Sequence, residues 1–341
     1  MIKIKLYELD KHRNECAFRP YLAIQNEFRE VGIEFTSGNS YDFAWVAQAS
    51  FLNKKVSLEQ SVNDGLEFLS KIKGDYMLLD GQDSTSLMGS YEVFKESNAL
   101  FLMKNSLLKN RNLYKNGWNL GRYYWGSGDY NLSDFDKYSD KIVLSGTNWL
   151  STHWFGIQKS FYNLPKEYDI SAMFQYPSKE EVFEHNHIQS KYYDTFRKPV
   201  VDIINKLPHK AAKLNNGERV SIEEYYNRVS KSKIILAPFG YGEMAPRDIE
   251  SAIFGSILIK PDMDYVDTIP NFYIDGETYI SCKHDFSDLE EKIELILGNY
   301  EYYLYIVENS RKKLLEIMNP NNIILHTYRL FTQLKNIYTN G

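Results

Sequence analysis

SKIILAPFGYGEMAPRDIESAIFGSILIKPD, residues 232–262, reads as strand, glycine-rich loop, short helix and strand. Ile234-Ile235-Leu236-Ala237 is a continuous apolar run stopped by Pro238, the pattern of a strand covered on both faces. Gly240 and Gly242 then allow a sharp turn and a close approach of backbone N–H groups to a ligand. Pro246 suits a first helical turn, and Asp248 and Glu250 place negative charge near the helix's positive end. Ile249, Ala252 and Ile253 are spaced to bury one face, with Arg247 and Glu250 sharing another. Gly255 closes the helix, and Ile257-Leu258-Ile259 begins the next buried strand.

Outward from this stretch, strands and helices alternate. Toward the N-terminus we expect strands at 2–7, 41–46, 76–79, 98–103 and 141–146, with helices over 17–31 and 57–72. A second series begins with a strand at 170–176 and a helix over 189–206. It continues with a strand at 209–213 and a helix over 221–232, opened by the capping box Ser221-x-x-Glu224. A short strand within 272–283 and helices over 285–298, 300–317 and 321–337 complete the chain. Segment 155–168, with Pro165 and weak periodicity, is read as the interdomain linker. The alternation predicts an α/β protein with two Rossmann-like domains and mostly parallel sheets. The domains are expected at 1–160 and 161–320, with 321–341 a terminal helix returning to the first.

Composition narrows the function. A net charge of −5 argues against a nucleic-acid binder, which needs cationic surface to meet phosphates. Cys16 and Cys282 stand far apart, so neither a zinc site nor a disulfide framework is indicated. No apolar run has the length of a transmembrane helix, and the chain opens on a strand pattern, so a cytoplasmic location is expected. Walker A, GxSxG and HExxH motifs are absent from the sequence.

The pattern of residues 232–262 resembles the donor-binding segment of exostosin-like glycosyltransferases and, more loosely, of GT-B glycosyltransferases at large. It comprises Ser-Lys, an apolar strand, Pro-x-Gly-x-Gly, an Arg three residues before a Glu, a Gly and a second apolar strand. The family's Ser and Glu-Ala positions are here Ala245-Pro246 and Glu250-Ser251. The resemblance implies a GT-B fold with a ligand cleft between its domains. It also implies a sugar transferred from a nucleotide-sugar donor to an oligosaccharide or glycoconjugate acceptor. Glu243 and Glu250 are one position closer than the glutamate pair of retaining GT-B enzymes, so retention is not inferred. Alternatives within the fold are a non-catalytic sugar-nucleotide or glycan-binding protein and a nucleotide-sugar epimerase.

Candidate donor-binding residues are Gly240, Tyr241, Gly242, Glu243, Arg247 and Glu250. Arg247 can fork onto phosphates and Glu250 can accept ribose hydroxyls. Asp80 or Asp83, after the strand at 76–79, could serve as general base, with His153 behind Ser145-Gly146-Thr147-Asn148 as another candidate. The loop from Glu8 to Glu15, with Arg13 and Arg19, is a further cleft candidate. The aromatic loop 121–140, with Tyr123, Tyr124, Trp125 and Tyr130, is either an acceptor grip or packed onto its own domain. Asp262-Met263-Asp264 and Asp134-x-Asp136 match a DxD, a pattern common by chance, and the first follows the second strand of the donor segment, where a metal site is not expected. No divalent metal or other cofactor is expected.

Overall fold

The computed structural model describes residues 1–7, 11–53, 56–116, 131–145, 164–174, 196–214, 218–240 and 242–340. Its contacts divide the chain into two units. The first is Met1–Thr152 with Asp267–Pro270 and Leu315–Gly341, and the second is His153–Val266 with Asn271–Leu314.

The first unit holds a six-stranded sheet in which every neighbouring pair is parallel. Its spatial order is Ile33–Thr36, Ile2–Tyr7, Phe43–Ala47, Tyr76–Asp80, Leu102–Lys104 and Ile142–Leu144. The central strands are apolar runs because both of their faces are covered: Phe43–Ala47 is buried from Ala44 onward and Tyr76–Asp80 throughout. Trp45 is the hub of one face, with Tyr21, Phe18 and Phe35 at ring-centroid distances of 5.0, 6.4 and 5.7 Å. The terminal helix Pro320–Asn340 brings Phe331 onto the same indole at 6.2 Å, nearly parallel at 15°, and Tyr328 donates to the Val31 carbonyl at 2.6 Å.

The second unit holds five parallel strands in the order Ile280–Cys282, Ile257–Pro261, Ser232–Leu236, Tyr168–Ala172 and Ala211–Lys213. Numbered along the chain within each sheet, both sheets share the order 2-1-3-4-5, the first adding a sixth strand. In each, the direction of winding reverses between the first and third strands. At such a switch point the two connections leave on opposite faces and open a crevice at the carboxyl ends, where open α/β sheets bind ligands. In the second unit that crevice lies beyond Ala172 and Leu236.

Several elements differ from the sequence reading. The expected helix over 17–31 is two helices, Lys11–Ala23 and Gln25–Glu30. The edge strand Ile33–Thr36 and the helix Ser90–Glu96 were not expected; each is too short for a periodic signal. Within 98–103 only Leu102 and Met103 belong to a strand, which extends to Lys104. The aromatic loop ends in two short 3₁₀ turns, Phe135–Lys137 and Ser139–Lys141, with Phe135 buried against Tyr91 and Tyr114. Tyr123, Tyr124, Trp125 and Tyr130 lie outside the described residues, as do 155–163 of the expected linker. Among the described residues no helix is long and apolar enough to cross a membrane.

Candidate nucleotide-binding site

The loop and helix after Ser232–Leu236 form as the sequence suggests, but their surroundings differ. Helix Pro246–Phe254 starts with Pro246 in its first turn and ends on Gly255. That glycine adopts the left-handed conformation (φ 68°, ψ 49°), which a side chain would strain. The helix is not amphipathic in place. Asp248, Ile249, Glu250, Ser251, Ala252 and Phe254 are all buried, and helix Ile222–Ser230 covers the side that carries Glu250.

Glu250 is therefore no surface partner. Only 1% exposed, it accepts a 2.6 Å hydrogen bond from the Tyr225 hydroxyl through Oε2. Burial raises its carboxyl from the ordinary 4.5 to about 7, while Tyr225 and the Arg247 charge pull the other way. The Tyr225 hydroxyl is itself pushed well up, first by burial and then by Glu250. Arg247 is half-buried, and among the described residues its Nε has no hydrogen-bond partner.

Two further residues gather here that the sequence reading did not single out. Phe174, buried just past the Tyr168–Ala172 strand, has the Arg247 guanidinium 5.8 Å from its ring centroid and that of Arg197 at 5.9 Å. Arg197 precedes helix Lys198–Ile204 and is buried. Its Nη2 lies so close to Gly240 that a Cβ on that residue would come within 2.9 Å of it. Two guanidiniums thus share one phenyl ring beside a glycine backbone, at the point where the sheet's winding reverses. Two guanidiniums so placed have the charge and the donors to meet an anion of more than one charge.

Beneath the loop lies a buried polar cluster. Lys260, fully buried, donates to the Glu243 carbonyl and to Asp248 Oδ2, both at 2.6 Å. The same carboxylate oxygen accepts from the Tyr273 hydroxyl at 2.7 Å and the Ala245 N–H at 2.9 Å. Burial drives the Lys260 amine down and Asp248 opposes the shift. Glu243 is likewise buried, and Tyr241 lies outside the described residues.

The first-unit candidates are placed as follows. Asp80 is fully buried; Ser90 Oγ donates to its Oδ2 at 2.5 Å, the Gln82 N–H to its Oδ1 at 2.9 Å, and Lys104 pairs with it at 3.3 Å. Asp83 is partly exposed on the same loop. Ser145 is buried, with its hydroxyl on Asn105 at 3.0 Å. His153, residues 146–148 and residues 8–10 lie outside the described residues, as does the Arg13 side chain. The Asp264 N–H donates to Asp262 Oδ1 at 2.9 Å, so that acidic pair forms a local turn. Among the described residues no group of three His, Cys, Asp or Glu is placed to hold a metal ion.

Fold and site together describe a doubly wound α/β chain of GT-B type, with two parallel sheets and, in the second unit, a pair of guanidiniums at the switch-point crevice. Solved structures agree with that class. The chain is similar to the sucrose-phosphate synthase of Thermosynechococcus elongatus at 11% identity and a TM-score of 0.50, covering 97% of this chain and 81% of that one. It is also similar to HepE of Anabaena, solved in complex with UDP-glucose, at 8% identity and a TM-score of 0.51, covering 97% and 100%. At these identities the likeness establishes the fold. No family model matches the chain, and no curated protein matches it.

Proposed function

We propose that this chain is a glycosyltransferase that moves a sugar from a nucleoside diphosphate sugar to a glycan acceptor, without a metal ion. The observation that carries the reading is the pair of guanidiniums, Arg197 and Arg247, around Phe174 beside Gly240, with buried Glu250 one helical turn away. A sugar leaving a nucleoside diphosphate builds negative charge on the diphosphate. Two fixed guanidiniums and the positive end of helix Pro246–Phe254 stabilise that charge as it develops, the task a divalent ion performs elsewhere. Glu250, already ordered by Tyr225, takes the ribose hydroxyls. The UDP-glucose bound by the Anabaena protein of this fold supports a uridine donor.

In the first unit, Asp80 is committed to Lys104 and Ser90, so its role is to hold its loop. Asp83, in that loop and partly exposed, is the general base for the acceptor hydroxyl. The acceptor is a growing surface polysaccharide or glycoconjugate.

Thermal unfolding against nucleoside diphosphates and nucleotide sugars, with EDTA or Mn²⁺, tests the reading. A ligand that binds only the folded state raises Tm as its concentration exceeds Kd. UDP and a UDP-sugar are expected to raise Tm equally with either additive, and Arg247→Ala to abolish the shift. Absence of any shift across the panel would overturn the donor site.

A further inference from the structure

The buried cluster under the loop is not needed to hold a helix onto a sheet. An ion pair taken wholly out of water contributes little net stability, and apolar residues of similar volume commonly serve as well. What an apolar pair cannot do is bond to backbone. Lys260 holds the carbonyl of Glu243, and Asp248 holds the N–H of Ala245, two residues further along. The two side chains are joined at 2.6 Å, and Tyr273 braces the carboxylate at 2.7 Å. Segment 243–245 is thus pinned at both ends from below. Just upstream, the Gly240 N–H donates to the Gly242 carbonyl at 3.2 Å, and Gly240 faces Arg197.

We propose that Lys260 and Asp248 act as a strut that fixes the backbone of residues 242–245 in its anion-binding conformation, making Lys260 a positioning residue for diphosphate binding. The inference rests on the donor-site reading above. Lys260 itself is fully buried and bonds to the loop carbonyl of Glu243, so it acts through the loop. The strut explains why a lysine stands in the covered strand Ile257–Pro261, where burial disfavours its charge.

Two variants separate positioning from stability. Lys260→Met removes the amine and leaves Asp248 as a buried, unmatched charge. Lys260→Met with Asp248→Asn removes the charge as well, while the Asn carbonyl still accepts from Ala245 and Tyr273. Each protein is titrated with UDP and with inorganic pyrophosphate, melted, and followed by hydrogen exchange without ligand. The single variant is expected to lose Tm and the double to recover most of it. Both are expected to bind UDP and pyrophosphate at least about tenfold more weakly. Both should also exchange faster across residues 240–247, with the Ser232–Leu236 strand unchanged. Recovery of affinity together with Tm in the double variant, or unchanged exchange in the loop, would overturn the strut. Failure of the wild type to bind either probe would instead overturn the donor site, and the exchange data would still decide the strut.

Discussion

Glu250 offers the sharpest quantitative test, because its carboxyl is almost completely buried yet ionisable near neutral pH. The raised value means that the folded chain keeps this proton between pH 4.5 and about 7, where the unfolded chain has released it. Stability from this group is therefore fullest below pH 4.5, is lost as pH rises through about 7, and is level above that. The separation between the two values corresponds to about 3 kcal/mol. Glu250→Gln keeps a carbonyl to accept from Tyr225 and carries no charge. The variant should match the wild type near pH 4.5 and exceed it by up to about 3 kcal/mol at pH 8. Urea unfolding of both proteins at several pH values between 5 and 8 measures the difference, and titrations common to both cancel. A difference that does not change with pH, or a variant less stable than the wild type at pH 8, would refute the assignment of a buried, proton-holding carboxyl.

Two other substitutions probe the same unit. Gly240→Ala places a Cβ within 2.9 Å of Arg197 Nη2 and should displace that guanidinium. UDP affinity by calorimetry is expected to fall several-fold, with stability changed by less than about 1 kcal/mol; unchanged affinity would count against Arg197 as a ligand group. Lys166 donates to the Ser230 carbonyl at 3.0 Å, the Phe254 carbonyl at 2.9 Å and Ser256 Oγ at 3.0 Å, so one amine serves the carboxyl ends of two helices. Burial lowers that amine to about 8, which leaves it charged at neutral pH. Lys166→Met orphans these acceptors and should cost about 2–4 kcal/mol in urea unfolding; a neutral outcome would show that water replaces the amine.

Much of the fold was legible because parallel strands covered on both faces leave continuous apolar runs. Ile234 to Ala237 and Ile257 to Ile259 are such runs, and both lie within or beside observed strands. The reading lost accuracy where charge enters a strand. Leu102–Lys104 and Ile257–Pro261 each carry a buried lysine, a residue that from sequence marks a surface or a strand's end. Each is tolerated because an aspartate distant in sequence neutralises it: Asp80 for Lys104, and Asp248 for Lys260. Charge pairing of that kind depends on the winding of the sheet and leaves no periodic trace.

The same limit governs the site. Glycine spacing, Pro246 and the Arg247–Glu250 interval were visible because they are local. Their environment was not, since Tyr225 comes from a neighbouring helix and Phe174 from the loop after another strand. Arg197 sat in a segment read only for its apolar stripe. One signal was present all the same. In a 2-1-3-4-5 sheet the connections after the first and third strands leave on opposite faces and flank one crevice, so any arginine or aromatic residue just past either strand, near 173–174 or 237–247, was a candidate. Strand order, once inferred, ranks candidates better than the motif does. Glu250 illustrates why: as an i,i+3 partner of Arg247 it reads as a surface charge, whereas one tyrosine from the adjacent helix makes it a buried acid held near neutrality.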